Sequence, residues 1–184
     1  MSSDVPTILD ASSGFREMWV NKDDPRVLFL DKRSDSELAL DKHNYDVQRG
    51  RLAVQGWNPK NPTVQGDFRC LNLPDGCMKA VNWDPPQRLK AGENSLFKKK
   101  YTYLNKETWR EDLKLGAMEV FRVLEPGGFL FFKWSDADIP LKMVLELFPH
   151  KPLFKNMTCG NGQTRSGSHH TFWCVFMKPS EVSA

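Results

Sequence analysis

No stretch of this 184-residue chain approaches the roughly 20 consecutive apolar residues that a membrane-spanning helix requires, so no membrane association is expected. The first residues, Met1 to Thr7, carry neither a basic segment nor an apolar one. No secretory signal is read there, and a cytoplasmic location is expected. The four cysteines, Cys70, Cys77, Cys159 and Cys174, form no CxxC pair and read as reduced thiols. His169 and His170 lie near two of them. Adjacent residues of a strand point to opposite faces, however, and structural zinc sites favour closely spaced pairs, so no metal is expected. Internal repeats and low-complexity segments are absent as well. The excess of basic over acidic residues, 26 against 23, is too small to indicate a polyanionic partner by itself. What is there, 40% hydrophobic and 27% charged residues, is ordinary for a globular protein, and residues 1–184 read as one domain.

Short apolar runs alternate with turn signals. Thr7–Asp10, Arg26–Asp31, Thr63–Gln65 and Lys79–Trp83 are expected strands, and Phe129–Trp134 is an expected buried central strand. Phe15–Val20 suits a helical turn, and Ser34–Gly50 a polar helix. Between Thr108 and Pro126 the helical pattern is strong. Thr108 and Glu111 form a candidate capping box. Trp109, Leu113, Ala117, Val120, Phe121 and Leu124 follow at helical spacing, and Pro126-Gly127-Gly128 stops the helix. Leu141–Phe148 suits a shorter helix. Lys151–Met157 and Thr171–Met177 suit an antiparallel hairpin at a sheet edge.

Five motifs stand in order along these elements: Ile8-Leu9-Asp10-Ala11-Ser12-Ser13-Gly14, Val27-Leu28-Phe29-Leu30-Asp31, Gln65-Gly66-Asp67-Phe68-Arg69, Val81-Asn82-Trp83-Asp84-Pro85-Pro86 and Arg122-Val123-Leu124-Glu125-Pro126-Gly127-Gly128. Four of them put an Asp or Gly at or just beyond the end of an apolar run. In open α/β sheets, ligands bind outside the carboxyl ends of the parallel strands.

Over roughly Pro6 to Lys178 this series resembles the class I, Rossmann-like S-adenosylmethionine-dependent methyltransferases. Within them it resembles the small phage and prophage enzymes with an Asp-Pro-Pro motif. The resemblance implies an α/β three-layer sandwich, a mostly parallel sheet with an antiparallel edge hairpin, and S-adenosylmethionine as cofactor. It places Asp10, Ala11, Ser12 and Gly14 around the methionine part of that cofactor, where small residues let backbone N–H groups come close. The family turn usually carries more glycine than this one. Asp31 would accept both ribose hydroxyls. Asp67 would meet the adenine amino group, with Phe68 on the ring. The alternatives are an Asp31 that merely opens a turn and an Asp67 paired with Arg69.

Asp84, Pro85, Pro86 and Gln87 are the implied catalytic residues. Two prolines fix a rigid turn that aims the Asp84 carboxylate and the Pro85 carbonyl at an acceptor amine. The fourth position of this motif is usually aromatic and stacks on an extruded base. Gln87 would instead hydrogen-bond a substrate edge. Arg88, Lys90, Lys98, Lys99 and Lys100 follow, interleaved with Phe97, Tyr101 and Tyr103, the combination that a single-stranded nucleic-acid track uses. A solvated charge run is the plainer alternative. The expected reaction is methyl transfer to an exocyclic amine of a nucleic-acid base. A small-molecule or protein-amide methyltransferase and a catalytically weak binding module are the rivals. DNA or RNA is the expected partner. A homodimer is a further expectation, since the chain opens at the first motif with no helix before it to cover the cofactor.

Overall fold

The computed structural model describes residues 5–41, 60–89, 103–159 and 170–180. Its strands are β1 (Ile8–Asp10), β2 (Val27–Asp31), β3 (Val64–Gln65), β4 (Met78–Trp83), β5 (Leu124–Ser135), β6 (Phe154–Cys159) and β7 (His170–Met177). They form one sheet in the order β3-β2-β1-β4-β5-β7-β6. β1 to β5 pair in parallel, and β7 joins β5 and β6 antiparallel. The strand order reverses beside β1, so β1 and β4 flank the crevice where such sheets bind ligands.

The helix α1 (Trp109–Val123) precedes β5, and the short α2 (Leu141–Leu145) follows it. Residues 35–41 are helical as well. α1 buries Trp109, Leu113, Gly116, Ala117, Val120, Phe121 and Val123, the spacing read from the sequence. Leu124 differs: it already belongs to β5 and pairs with Met78. The next match in that ladder is Ala80 with Phe129, so Glu125-Pro126-Gly127-Gly128 forms a bulge inside β5 instead of a separate helix stop. Gly127 has φ +79°, and a Cβ on Gly128 would lie 2.9 Å from the Glu125 carbonyl and 3.0 Å from that of Lys79.

The expected capping box at Thr108 does not form. Thr108 has φ −110° and ψ −4°, already close to helical, and its hydroxyl donates to Asp112 at 2.7 Å. A reciprocal cap occurs at Ser34 instead. The Ser34 N–H donates to Glu37 at 2.8 Å, and the Glu37 N–H to the Ser34 hydroxyl at 3.3 Å. Residues 15–20 do not form the expected helical turn: Arg16 has φ +55°, which breaks any helical run.

Side-chain alternation along the ladders divides the sheet into two unlike faces. One face carries Leu9, Val81, Trp83, Leu130, Phe132, Trp134 and Phe176 into a core shared with α1 and α2. Here the fit is tight, since a Cβ on Gly116 would come within 2.6 Å of Phe68 and Trp83. On the other face, Arg16 and Trp19 cover β2. The Arg16 guanidinium lies 4.3 Å from the Phe29 ring centre, and the Trp19 ring meets Phe29 edge-on at 5.4 Å. Among the described residues this cover thins beyond β4, where Met18 still reaches Lys133 at 3.9 Å. Phe129 and Phe131 are each 40% exposed, so β5 is buried on one side only, against the expectation of a fully buried strand.

Candidate active site

Asp10 and Asp84 stand at the carboxyl ends of β1 and β4, with Lys133 close by on β5. The Lys133 ammonium lies 2.7 Å from Asp84 Oδ2. Gln87 completes the arrangement. Its amide donates to Asp84 Oδ1 and, at 3.1 Å, to the Lys133 carbonyl, while its own oxygen accepts the Ser135 N–H at 2.8 Å. Both donors of that amide and its acceptor are thus engaged within the chain. Gln87 clamps the Asp-Pro-Pro turn to β5. Pro85 is buried in the same turn. Burial pushes the Asp84 carboxyl up, and Lys133 holds it down against that trend.

Asp10 is 1% exposed. Burial raises its pKa to about 6, while hydrogen bonds from Trp19 and Ser12 oppose the rise and the Asp84 charge adds to it. The Trp19 indole N–H donates to Asp10 Oδ2 at 2.6 Å. Ser12 ties the first motif to the fourth, its hydroxyl accepting the Asp84 N–H at 2.9 Å. Ala11 donates its N–H to Asn82 and Ser13 its N–H to Leu30, so these two amides hold the turn in place.

Asp31 is half a cradle already filled. Gly14, at φ +52°, donates its N–H to Asp31 Oδ2 at 3.0 Å. Arg33 grips both oxygens, through Nε on Oδ1 and a terminal nitrogen on Oδ2, each at 2.9 Å. The other terminal nitrogen of Arg33 reaches Asp41 at 3.1 Å. The guanidinium stands 3.7 Å from where a Cβ on Gly14 would be, in the cleft between the first and second motifs. Asp31 therefore receives four donors, the Gly14 and Arg33 backbone N–H groups and two guanidinium nitrogens, and the guanidinium pair matches the two that a vicinal diol offers.

Asp67 takes the plainer of its two readings in part. It pairs with Arg69 at 2.6 Å and with Lys32 at 3.4 Å, and these cations hold its carboxyl at about 2. Arg69 also bridges to Asp112 on α1 at 2.6 Å. The Phe68 ring packs against Trp83, centres 5.5 Å apart, and against the bare face of Gly116. Arg88 pairs with Asp138 at 3.5 Å, and its carbonyl accepts the Leu104 N–H at 3.0 Å. Lys90, Lys98, Lys99 and Lys100 lie outside the described residues.

Four contributors escaped the sequence reading: Trp19, Arg16, Arg33 and Lys133. Lys133 had a visible signal, a single cation near the end of an apolar run. The others sit in stretches with no periodic pattern. A depression of about 270 Å³ opens beside the site, lined by Ile8, Met18, Trp19, Ala80, Asn82, Phe131 and Trp173. Among the described residues, no group of three or more His, Cys, Asp or Glu could hold a metal ion.

No protein-family model matches the chain, and no curated protein is similar to it in sequence. Solved structures are. A SAM-dependent methyltransferase from Methanosarcina mazei superposes with a TM-score of 0.55 at 14% identity, covering 98% of this chain and 95% of its own. One from Leishmania major does so at 0.52 and 12%, covering 96% and 67%. This is the fold of the SAM-dependent methyltransferases. The fold also serves the [4+2]-cyclase SpnF, which superposes at 0.54 with 13% identity over 94% of this chain and 75% of that one. Fold alone therefore does not settle the reaction, and the site must.

Proposed function

We propose that this chain binds S-adenosylmethionine and methylates a nitrogen, the exocyclic amine of a nucleic-acid base. The observation that carries this reading is the Asp84–Lys133 pair, set at the carboxyl edge of the sheet beside the Asp10–Gly14 turn and the Asp31 cradle. The cradle suits the cofactor. Arg33 stands on Asp31 as a two-donor group, and a ribose diol in its place would find the same two oxygens and the same Gly14 amide behind them. Asp10, Ala11, Ser12 and Gly14 would hold the methionine part.

When bound, S-adenosylmethionine supplies a methyl group already activated for attack, so the chain's task is to position and deprotonate the acceptor. Asp84 does this. Lys133 keeps its carboxylate ionised in a largely buried place, and Gln87 and the two prolines fix its direction. An ionised carboxylate offers about four acceptor sites, of which Lys133 and Gln87 occupy two. The rest can accept an amine N–H and then its proton. Burial, by raising the Asp84 pKa, makes the carboxylate a better base.

Two measurements test this reading. Titration calorimetry with S-adenosylmethionine is expected to show binding, weakened in Asp31→Ala by about 1.5–3 kcal/mol. Transfer of labelled methyl to DNA, RNA and cell extract is expected to favour a nucleic acid. Label in a protein or small-molecule fraction alone would reassign the acceptor, and absence of cofactor binding would leave a binding module with a methyltransferase fold.

A further inference from the structure

The side chains of β4 to β6 on the open face make an unusual set. From the ladder register they are Ala80 and Asn82, then Phe129, Phe131 and Lys133, then Trp173, Val175 and Met177, then Phe154, Asn156 and Thr158. None is a carboxylate, and the single charge is positive. The aromatic rings are spread over three adjacent strands. Phe154 shares a row with Phe131 through Val175, and Trp173 stands one row nearer the carboxyl edge, opposite Lys133. Phe129 and Phe131 are each 40% exposed and Phe154 is 62% exposed, while Val175 between Phe131 and Phe154 is buried. This row pattern leads into the site. The Lys133 ammonium lies 6.0 Å from the centre of the Trp173 ring and 2.7 Å from Asp84.

We propose that this face is a stacking platform for single-stranded nucleic acid, whose bases lie on Phe129, Phe131, Phe154 and Trp173 and whose strand runs toward Asp84. The inference deepens the methyltransferase reading and rests on it for the chemistry at Asp84, but strand binding itself needs no cofactor. Three physical points favour this occupant. Residues two apart on a strand are roughly 6.7 Å apart, about twice the ~3.4 Å rise per nucleotide of a duplex strand, so neighbouring rings suit neighbouring bases of a stretched strand. A face without carboxylates accepts a polyanion, and its one cation, Lys133, is paired with Asp84, so the aromatic rings supply the contact. A duplex cannot lay its bases on a sheet, so single strands are selected.

The test is fluorescence anisotropy of a labelled 20-nucleotide oligo(dT), its RNA counterpart and a 20-base-pair duplex, with the full chain and no cofactor. The single strands are expected to bind and the duplex to bind less tightly. Phe131→Ala and Phe154→Ala should each weaken single-strand binding by about 5- to 150-fold, the equivalent of 1–3 kcal/mol per stacked base. Phe131→Leu keeps the apolar contact and removes the ring, so it should fall with Phe131→Ala. Phe131→Trp should restore binding. Both wild-type side chains are substantially exposed, so the variants should fold, and unchanged circular dichroism and melting would confirm it. Single-strand affinity that is absent, or equal in wild type and variants, overturns the platform. So does a dimer in sedimentation that Phe131→Ala and Phe154→Ala convert to monomer, since the face would then be covered by a second copy. Failure of S-adenosylmethionine binding with strand affinity intact would refute the methyltransferase reading and leave the platform standing.

Discussion

The two faces of the sheet show how differently one set of strands can be used. On the helix-covered face, Trp83, Phe132 and Trp134 are fully buried and α1 approaches so closely that residue 116 has no room for a Cβ. On the other face, among the described residues, a short irregular segment covers mainly the β1–β2 half. There Arg16 lies over Phe29, and Trp19 both packs on Phe29 and donates to Asp10. The first face stores stability. The second leaves Phe129, Phe131 and Phe154 substantially exposed, with Val175 buried between Phe131 and Phe154. The candidate site lies on the sheet's carboxyl edge, where the two meet.

Substitutions can break or sharpen this contrast. The largest stability loss is expected on the covered face, where Trp83→Ala should cost about 3–5 kcal/mol in urea unfolding. A much smaller loss would mean that this core is not close-packed. At the edge, Asp84→Ala should slow methyl transfer on the order of 100- to 1000-fold while leaving S-adenosylmethionine affinity nearly unchanged. If cofactor affinity fell instead, Asp84 would face the cofactor. Gly116→Ala should destabilise by about 1–3 kcal/mol through overpacking against Phe68 and Trp83.

Asp10→Asn should act in the opposite direction. The folded pKa of Asp10 is raised from 3.8 to about 6, so the folded state binds the proton more tightly than the unfolded state does. Wild-type stability should therefore fall as pH rises from about 4 to about 6 through this group. An amide at this position escapes that loss and can still accept from Trp19, so the variant should gain about 3 kcal/mol at pH 7 and nothing below about pH 4. Melting temperatures across that range would show it, and a gain at every pH would assign the effect elsewhere. The smallest effect belongs to the open face: Phe129→Ser should change stability by less than about 1 kcal/mol.

The placement of the candidate site's acidic residues is legible because they follow strands. Asp10, Asp31 and Asp84 each end or follow an apolar run, and the runs themselves set the parallel sheet and the α1 spacing. The partners of Gln87 are not legible, because sequence shows a polar residue after two prolines and not the Ser135 amide and Lys133 carbonyl that it meets. The contact of Phe68 with Trp83 is likewise a long-range one that no local pattern announces.

Sequence by itself determined the strand order signals, the helix that precedes β5 and the acidic residues at the carboxyl edge, since all of these depend on local periodicity and turn chemistry. Tertiary structure alone decided which partners those acids have. Lys133 meets Asp84 from a strand 49 residues away in the chain, and Arg33 reaches both Asp31 and Asp41. It also decided that Phe129 and Phe131 stay open while Leu130 and Phe132, their neighbours in the same apolar run, are buried. Alternation assigns residues to two faces, but only the packing of distant segments determines which face is covered.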